Sequence, residues 1–385
     1  MRKNRIEEIE ALRGLSFMAV VMQHAAAHYF PMPEARLGDG VMLGIILLAA
    51  KFAVPMFVFM TGLVLFYNYD GDIRYGTFVG KRCKDILLPY VPWAVLYAVE
   101  FQHLNLWDAA SLSRLGMMIF TGKASYHLWY IVMIFQFYLL FPLLQRMVRK
   151  VSIHSARTAA AIVLALGVLY LVLMYKGSAI YHASFRIHAA FLRGCFTTYL
   201  DRNAIMYFFY FALGAFAGLH LEVWRNWLDK SRYIIWALYA AAIGAMLVKV
   251  VDHFKLVPAV RIRFDVLALL RLDMSVLLIL SIAAVYIFTL RLVRQGPAYL
   301  TRPVSIIGAY SYAAYLAHAY VLRYTERLTD AMLPGGSVTS RSLLACALCV
   351  LLSVIAAWTV RTLAAAVRQF YSARKRESFE RTNSA

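Results

Sequence analysis

The first hydrophobic stretch, Glu10-Ala-Leu-Arg13-Gly-Leu-Ser-Phe-Met-Ala-Val-Val-Met-Gln-His24-Ala-Ala-Ala-His28, holds an arginine and two histidines among apolar residues. Its length fits a helix that crosses a membrane, which needs about 20 residues. At about 100° per residue, Arg13 and His24 return to the same side of such a helix, about 16 Å apart along its axis. An ionisable side chain at membrane depth costs roughly 3 kcal/mol or more unless it faces a wet cavity or the protein interior. The stretch therefore predicts a functional face on a membrane helix.

Structural interpretations of these residues stay open beside the functional one. Arg13 could extend its guanidinium to the membrane surface, and His24 could form an interhelical hydrogen bond. His28 lies four positions after His24 on the same face, which resembles half of a metal site. No carboxylate or cysteine lies near this pair in the sequence. We therefore predict no metal site and interpret both histidines as polar residues that line one cavity.

The composition indicates a membrane protein and excludes a soluble domain. Hydrophobic residues make up 62% of the 385 residues and charged residues only 16%, and the mean hydropathy is +0.64. We therefore predict an all-α, polytopic integral membrane protein. The formal net charge of +20 is explained by basic cytoplasmic loops, so nucleic acid is not an expected partner. The four cysteines do not suggest a disulfide framework.

Hydropathy predicts about ten transmembrane helices and one long domain. The predicted spans lie near residues 10–30, 41–67, 86–104, 127–148, 158–175, 204–221, 233–251, 268–290, 305–324 and 342–366. Basic residues are concentrated in alternate loops along the chain. Because such loops face the cytoplasm, we predict a protein of the cell (plasma or inner) membrane with both termini in the cytoplasm. We expect residues 1–371 to form the transmembrane domain and residues 372–385 a cytoplasmic tail. In this topology a surplus of basic residues lies outside the membrane. It is either an error of topology or a basic outer surface for an anionic acceptor or lipid headgroups. These residues are Arg186, Arg193, Arg202, Lys255, Arg261 and Arg263.

Six segments, in the same order, resemble the integral membrane acyltransferase-3 family, which includes polysaccharide O-acetylases and O-succinylases. The segments are Arg13-Gly14 with His24; Phe52-Ala-Val-Pro55-Met-Phe-Val-Phe-Met-Thr61-Gly62; Lys81-Arg82-Cys-Lys84-Asp85-Ile-Leu-Leu-Pro89-Tyr90; His127-Leu-Trp129-Tyr130 with Pro142; Phe211-Ala-Leu-Gly214-Ala-Phe-Ala-Gly218; and Gly308-Ala-Tyr-Ser311-Tyr312-Ala-Ala-Tyr315-Leu-Ala-His318. Any one of these segments also arises from membrane packing alone. Together they cover nearly the whole chain.

The resemblance implies an acyltransferase for groups other than amino-acyl groups, here an O-acetyltransferase. Such an enzyme moves an acyl group, usually acetyl, from cytoplasmic acyl-CoA to a hydroxyl of a cell-surface polysaccharide or lipid-linked glycan. Acyl-CoA (acetyl-CoA) would be the donor substrate, with no bound cofactor. Many members carry a second arginine three residues after the one that matches Arg82. Asp85 stands there in this chain, so Arg82 carries over and neighbouring Lys84 could substitute for the second basic residue. Arg82 and Lys84 are therefore the predicted binding residues for the negatively charged CoA on the cytoplasmic side.

The chemistry of the transfer assigns roles to the matched residues. An alcohol is a poor nucleophile near neutral pH, and a histidine can take its proton as the thioester is attacked. His24 is the predicted general base, and Arg13 would meet a phosphate or the pantetheine end of CoA. The further candidates for substrate binding are His28, His127, Trp129, His318 and Glu326. Histidines that are flanked by Trp or Tyr are also common as interfacial anchors.

Two other classes of function stay open at this point. Intramembrane Arg and His residues also serve transporters or flippases that move a glycan, a lipid or a small anion. Such proteins usually show paired half-repeats, and none is visible in this sequence. A passive component of a polysaccharide secretion machine is the third interpretation. Besides acyl-CoA, the acceptor and the lipid bilayer, a homo-oligomer or proteins of polysaccharide synthesis stay open as partners.

Overall fold

A computed structural model describes residues 5–150, 155–255 and 261–383, and the regular elements among them are helices. An isolated β-bridge joins Lys255 to Arg261. The α-helices within these ranges are α1 (Glu8–Tyr29), α2 (Leu37–Ala50), α3 (Ala53–Asn68), α4 (Tyr75–Arg82), α5 (Leu88–Gln102), α6 (Ala109–Thr121), α7 (Trp129–Lys150), α8 (Ala156–Tyr175), α9 (Gly177–Ser184), α10 (Ala190–Phe196), α11 (Phe208–Leu219), α12 (Leu221–Asp252), α13 (Leu272–Gln295), α14 (Ala298–Met332) and α15 (Val338–Asn383). A π-helical turn, Cys83–Leu87, joins α4 to α5, and short 3₁₀ turns precede α11.

The helices confirm the predicted all-α membrane class. Within the described ranges, six segments are long and apolar enough to cross a membrane: Leu37–Asn68, Trp129–Arg149, Ala156–Tyr175, Leu221–Asp252, Leu272–Gln295 and Val338–Val367. The shorter segment Ala204–Leu219 is also apolar. Each of the ten predicted spans overlaps a helix, although only six segments in the described ranges are long and apolar enough to cross a membrane. The number ten therefore stays a prediction. The helical backbone of α15 continues through the predicted tail as far as Asn383.

Helix α1 lies inside the bundle, where it packs against α14, α15 and α3. Its contact with α14 is close because two glycines face the opposite backbone. A Cβ atom on Gly308 would overlap the carbonyl oxygen of Glu10, and one on Gly14 would overlap that of Val304. Small residues of this kind let membrane helices approach backbone to backbone. Residues of α1 and α14 can therefore meet across a very short distance.

The N-terminus of α1 is fixed by a buried ion pair. Glu8 is only 1% exposed, and its carboxylate accepts hydrogen bonds from Arg225 Nε at 3.0 Å and Nη2 at 2.8 Å. The Tyr286 hydroxyl donates to the same carboxylate at 2.6 Å. Because these bonds satisfy the buried charge in a bidentate geometry, they join α1 to α12 and α13.

The predicted span near 41–67 is interrupted in its middle. Helix α2 ends at Ala50 and α3 begins at Ala53. Pro55 has no N–H for the carbonyl of Lys51 four residues earlier, and its ring crowds that carbonyl, so a regular helix cannot continue there. The Gln23 amide of α1 donates to the carbonyl oxygen of Ala50 at 3.0 Å. The interruption is thus joined to α1 one residue before His24.

Candidate functional site

Two cavities of different chemistry lie along α1. The first, which we call the arginine cavity, has a volume of about 340 Å³. Its polar lining comes from Arg13 of α1, from Arg82 and Asp85 of the α4–α5 connection, and from the hydroxyl-bearing residues Thr61, Tyr130, Tyr138, Ser311, Tyr312 and Tyr315. The rest of the wall is apolar. Two guanidinium groups and one carboxylate therefore face a largely aromatic space.

Arg82 is held in this cavity by aromatic rings. Its Nη2 donates to the Tyr69 hydroxyl at 3.1 Å. Its guanidinium carbon lies 5.1 Å from the Phe78 ring centroid and 5.2 Å from that of Tyr138, which are distances for cation–π attraction. Its Nε is buried without a partner among the described residues. Arg82 therefore keeps a hydrogen-bond donor free.

Arg13 lies across the arginine cavity, on α1. It is half-buried, and no carboxylate in the described part of the chain pairs with it. A guanidinium that is desolvated and unpaired attracts an anion, and its planar donors match phosphate or carboxylate oxygens. The arginine cavity is therefore suited to an anionic ligand with apolar parts.

The second cavity, which we call the histidine cavity, has a volume of about 740 Å³. It is lined by residues from the C-terminal half of α1 and from parts of α5 and α14. Its titratable lining residues are His24, His28, Tyr126, Arg323 and Glu326, and Phe101, Gln102 and Ser125 lie beside them. Donors and acceptors alternate with aromatic rings on this wall. Such a lining can hold a neutral, hydroxyl-rich ligand.

In the lining of the histidine cavity, a histidine and a carboxyl group face each other. His28 Nδ1 lies 3.5 Å from Glu326 Oε2. The Tyr29 hydroxyl donates to the main-chain carbonyl of Glu326 at 3.2 Å. Nearby, Arg341 Nη2 donates to Glu34 Oε1 at 2.5 Å, and this bond lowers the pKa of the Glu34 carboxyl. The loop between α1 and α2 is thereby joined to the start of α15.

A single layer of buried rings separates the two cavities. His318 is 0% and His127 2% exposed, and their ring centroids are 4.5 Å apart. On one side, the His24 ring stacks on His318 at 5.4 Å with an interplanar angle of 23°. On the other side, the Tyr315 ring, which lines the arginine cavity, lies 5.4 Å from His318. The cavities are therefore one side chain apart at this point.

Hydrogen bonds fix the orientation of the rings in this layer. His318 Nδ1 donates to the main-chain carbonyl of Tyr315 at 2.6 Å, so Nδ1 carries the proton and Nε2 is left with a lone pair. Nε2 is buried and has no partner among the described residues. His127 Nδ1 and the Ser125 hydroxyl are 3.2 Å apart, and the Tyr315 hydroxyl donates to the main-chain carbonyl of His127. The His318 ring is thus held by a main-chain carbonyl, and the His127 ring by the Ser125 hydroxyl.

His24 is placed differently from the two buried histidines. It is half-buried and lines the histidine cavity. The Tyr126 ring lies 4.6 Å from it, closer than the 5.4 Å to His318. No hydrogen bond to its imidazole occurs in the described part of the chain, so both of its nitrogens are available to a ligand. His24 can therefore exchange a proton with a hydroxyl group that enters this cavity.

The structure brings most of the predicted site residues together, but not all. Arg13 and Arg82 line the arginine cavity, and His24, His28 and Glu326 line the histidine cavity. The predicted candidates His127 and His318 lie in the layer between the cavities. Lys84 is exposed, and Asp85 stands in the cavity instead.

Trp129, another predicted contact, packs on aromatic neighbours. Its ring lies 6.1 Å from Tyr207 and 6.4 Å from Tyr130, and it lines neither cavity. Sequence reasoning did not select Tyr126 and Tyr315. Tyr315 lies in a segment that the family resemblance had already marked, three residues before His318, and Tyr126 lies directly before another such segment, one residue before His127. Among the described residues, no group of three or more His, Cys, Asp or Glu side chains could hold a metal ion.

Comparison with known proteins identifies the family. A family model described as an acyltransferase domain, that of the acyltransferase-3 family, matches residues 6–360. This range includes both cavities and the layer between them. No curated protein and no solved structure matches the chain. Because the match covers nearly the whole sequence, the chain belongs to the acyltransferase-3 family.

Proposed function

We propose that this member of the acyltransferase-3 family transfers an acetyl group from acetyl-CoA to a hydroxyl of a cell-surface polysaccharide or lipid-linked glycan. One observation carries the proposal. A cationic cavity and a neutral hydrogen-bonding cavity meet at a layer of buried imidazoles, with His24 at the boundary. A transferase with two chemically unlike substrates needs two such compartments and a reactive group where they meet.

The arginine cavity is the proposed donor site. CoA carries phosphates at one end and a thioester at the end of a flexible pantetheine arm. Arg13 and Arg82 would bind phosphate oxygens with bidentate or charge-assisted hydrogen bonds. The aromatic walls would cover the apolar part of the arm. The thioester would then lie next to Tyr315 and the buried histidines.

The acceptor would enter through the histidine cavity. His24 removes the proton from the attacking hydroxyl while the oxygen bonds to the thioester carbon. The tetrahedral intermediate collapses, the C–S bond breaks, and the departing thiolate receives the proton from the imidazolium. His28 and Glu326 would hold other hydroxyls of the acceptor. A sugar presents many hydroxyls, and paired donors and acceptors of this kind suit it.

The proposed topology has ten membrane passes, both termini in the cytoplasm and the arginine cavity open to the cytoplasm. It rests on the basic loops, including the exposed Lys84. The test is labelling of Lys84→Cys in a chain whose neighbouring Cys83 is Ser, in intact cells and in opened vesicles. A membrane-impermeant thiol reagent should label position 84 only after opening. Labelling in intact cells would contradict the topology.

The function is tested with the purified full-length protein in nanodiscs. It should release CoA thiol from acetyl-CoA slowly with water as acceptor, and faster with cell-envelope glycans. Mass spectrometry of surface glycans from cells with and without the gene should show an acetyl mass difference. The absence of both CoA release and an acetyl mass difference would contradict the proposal. Normal O-acetylation together with loss of a translocated glycan would favour the flippase alternative.

A further inference from the structure

Tyr126 is exposed between two buried neighbours. It is 54% exposed, whereas Ser125 and His127 on either side of it are 6% and 2% exposed. Tyr126 is also a lining residue of the histidine cavity. The donor and acceptor contacts proposed above do not use its ring. A large aromatic ring in a cavity wall buries its apolar face only when a ligand covers it.

The contacts of the Tyr126 ring are with the proposed reaction site. Tyrosines near the ends of membrane helices commonly anchor a protein among lipid headgroups. The centroid of the Tyr126 ring, however, lies 4.6 Å from that of His24 and 5.5 Å from that of His127. The planes of the Tyr126 and His24 rings are tilted by 56°. A ligand that lies on the Tyr126 ring is therefore next to the imidazole of His24.

The segment that carries Tyr126 is fixed by hydrogen bonds on both sides of it. Before it, Arg202 Nη1 donates to the main-chain carbonyl of Thr121 at 2.5 Å. After it, the main-chain N–H of Leu128 donates to the carbonyl of Ser125 at 3.2 Å. A ring on such a support is pre-organised, because a ligand that binds it does not have to order a mobile loop.

Hydrogen-bonding groups share the histidine cavity with this ring. Gln102 and Arg323 are exposed lining residues, and Glu326 Oε2 lies 3.5 Å from His28 Nδ1. Amide, guanidinium and carboxyl groups bind hydroxyls through directed hydrogen bonds. A flat ring and several such groups in one cavity match a ligand that has an apolar face and a rim of hydroxyls.

We propose that the acceptor sugar stacks on Tyr126, and that this residue thereby selects pyranose rings as acceptors. A pyranose presents C–H groups on its faces and most of its hydroxyls around its edge. The face of an aromatic ring is the negative part of its quadrupole and attracts C–H groups, which are slightly positive. This inference rests on the proposed acyltransferase function and names the acceptor class for the same site.

Stacking also positions the acceptor for the reaction. A sugar on Tyr126 lies beside His24, so a hydroxyl at the edge of the sugar ring comes within reach of the imidazole. Holding the reacting groups together in one orientation lowers the barrier of a two-substrate reaction. An open-chain polyol has similar hydroxyls but no such face, and it should therefore bind poorly.

The experiment compares Tyr126→Leu and Tyr126→Phe with wild type, in nanodiscs, with acetyl-CoA as donor. The acceptor is cell-envelope glycan from cells without the gene, and mass spectrometry follows its acetylation. We expect Tyr126→Leu to raise KM for this glycan about 10-fold, because leucine is apolar but has no aromatic face. Tyr126→Phe keeps the ring, so its KM should stay within about threefold of wild type. The Kd of Tyr126→Leu for CoA, measured by calorimetry, should not change.

A competition experiment with wild-type protein tests the choice of a pyranose directly. The methyl pyranosides of glucose, galactose, mannose and N-acetylglucosamine are each added to the glycan reaction, and sorbitol is added at the same concentration. At least one pyranoside should inhibit acetylation of the glycan, whereas sorbitol should not. Inhibition by sorbitol as strong as that by the best pyranoside, or no inhibition by any of them, would overturn the inference.

The controls separate this inference from the proposed function. Tyr299→Leu replaces a tyrosine that is 75% exposed and lines neither cavity, and it should leave KM unchanged. If wild type releases no CoA and acetylates no glycan, the acyltransferase proposal fails. If wild type is active and Tyr126→Leu keeps the wild-type KM, only the role of Tyr126 is overturned. A weaker affinity of Tyr126→Leu for CoA would assign the ring to the donor and would also overturn it.

Discussion

The arginine and histidine cavities share α1 but differ in how their charges are compensated. In the histidine cavity, His28 and Glu326 face each other at 3.5 Å. In the arginine cavity, Arg13 has no carboxylate partner among the described residues, and Arg82 is surrounded by rings rather than acids. A compartment in which a histidine faces a carboxyl group suits a ligand rich in hydroxyls, whereas guanidinium groups without a carboxylate partner suit an anion. The difference fits the proposal that the two cavities bind different ligands and that the acyl group passes from the arginine cavity to the histidine cavity.

The largest effect should come from the boundary between the cavities. We expect His24→Gln to lower acyl transfer by roughly 10²- to 10⁴-fold, the usual contribution of a positioned acid–base group. Glutamine can keep a hydrogen bond but does not accept a proton near neutral pH. The measurement is acetyl transfer by protein that is inserted and elutes at the wild-type size. The His24 imidazole makes no hydrogen bond among the described residues, and even one such bond between membrane helices would contribute only about 0.6 kcal/mol, so folding should persist.

The opposite result would separate chemistry from structure. If His24 serves only as a polar residue of the cavity wall, the Gln variant should keep near-normal turnover. His24→Phe, which keeps the stacking on His318, serves as the matched variant. It should be as inactive as His24→Gln if the base matters, and as active as wild type if only the stacking matters.

Much of the fold could be predicted because hydropathy is a property of whole spans. The predicted spans overlap helices because hydropathy is averaged over windows of about 20 residues. The interruption at Lys51 could not be predicted by a window of about 20 residues, because one proline and one hydrogen bond from Gln23 decide it. Arg13 and His24 were found because charged groups are rare in a membrane helix. The meeting of His127 with His318 could not be predicted, since it depends on packing between segments far apart in the chain.

The second effect concerns the arginine cavity alone. We expect Arg13→Gln and Arg82→Gln each to weaken CoA binding by about 10- to 100-fold, since hydrogen bonds to charged groups contribute roughly 1.5–3 kcal/mol. The loss should be greatest at low salt, because exposed ionic contacts are screened over about 10 Å at 0.1 M. Titration calorimetry with CoA at two salt concentrations measures it.

Lys84→Gln is the matched variant for this loop. The sequence predicted a role for Lys84 in donor binding, but the structure places it on the surface beside the cavity. We expect a change in CoA affinity of threefold or less. An effect as large as that of Arg82→Gln would show that the cavity extends to this loop surface and would weaken the distinction between the two compartments.

The third prediction concerns the close approach of α1 and α14, which we expect to support both cavities. A Cβ atom at position 308 would overlap the Glu10 carbonyl, whereas one at position 244 meets nothing within 4 Å. We expect Gly308→Ala to destabilise the protein by about 1–3 kcal/mol through overpacking. Gly244→Ala should be neutral or stabilising by up to about 1 kcal/mol. Thermal unfolding in nanodiscs compares the two variants, and equal melting temperatures would contradict the role of this contact.

The smallest effect should be confined to the histidine cavity. Glu326→Gln keeps the shape of the side chain but replaces the carboxyl group that faces His28 with an amide. One hydrogen bond of this kind contributes about 0.5–1.5 kcal/mol, so we expect KM for the glycan acceptor to rise about 2- to 10-fold. The Kd for CoA should not change, because Glu326 does not line the arginine cavity. Steady-state kinetics with the glycan that mass spectrometry identifies, alongside CoA calorimetry, make the comparison. A weaker affinity for CoA in this variant, with an unchanged KM for the glycan, would show that the ligands are assigned to the wrong compartments.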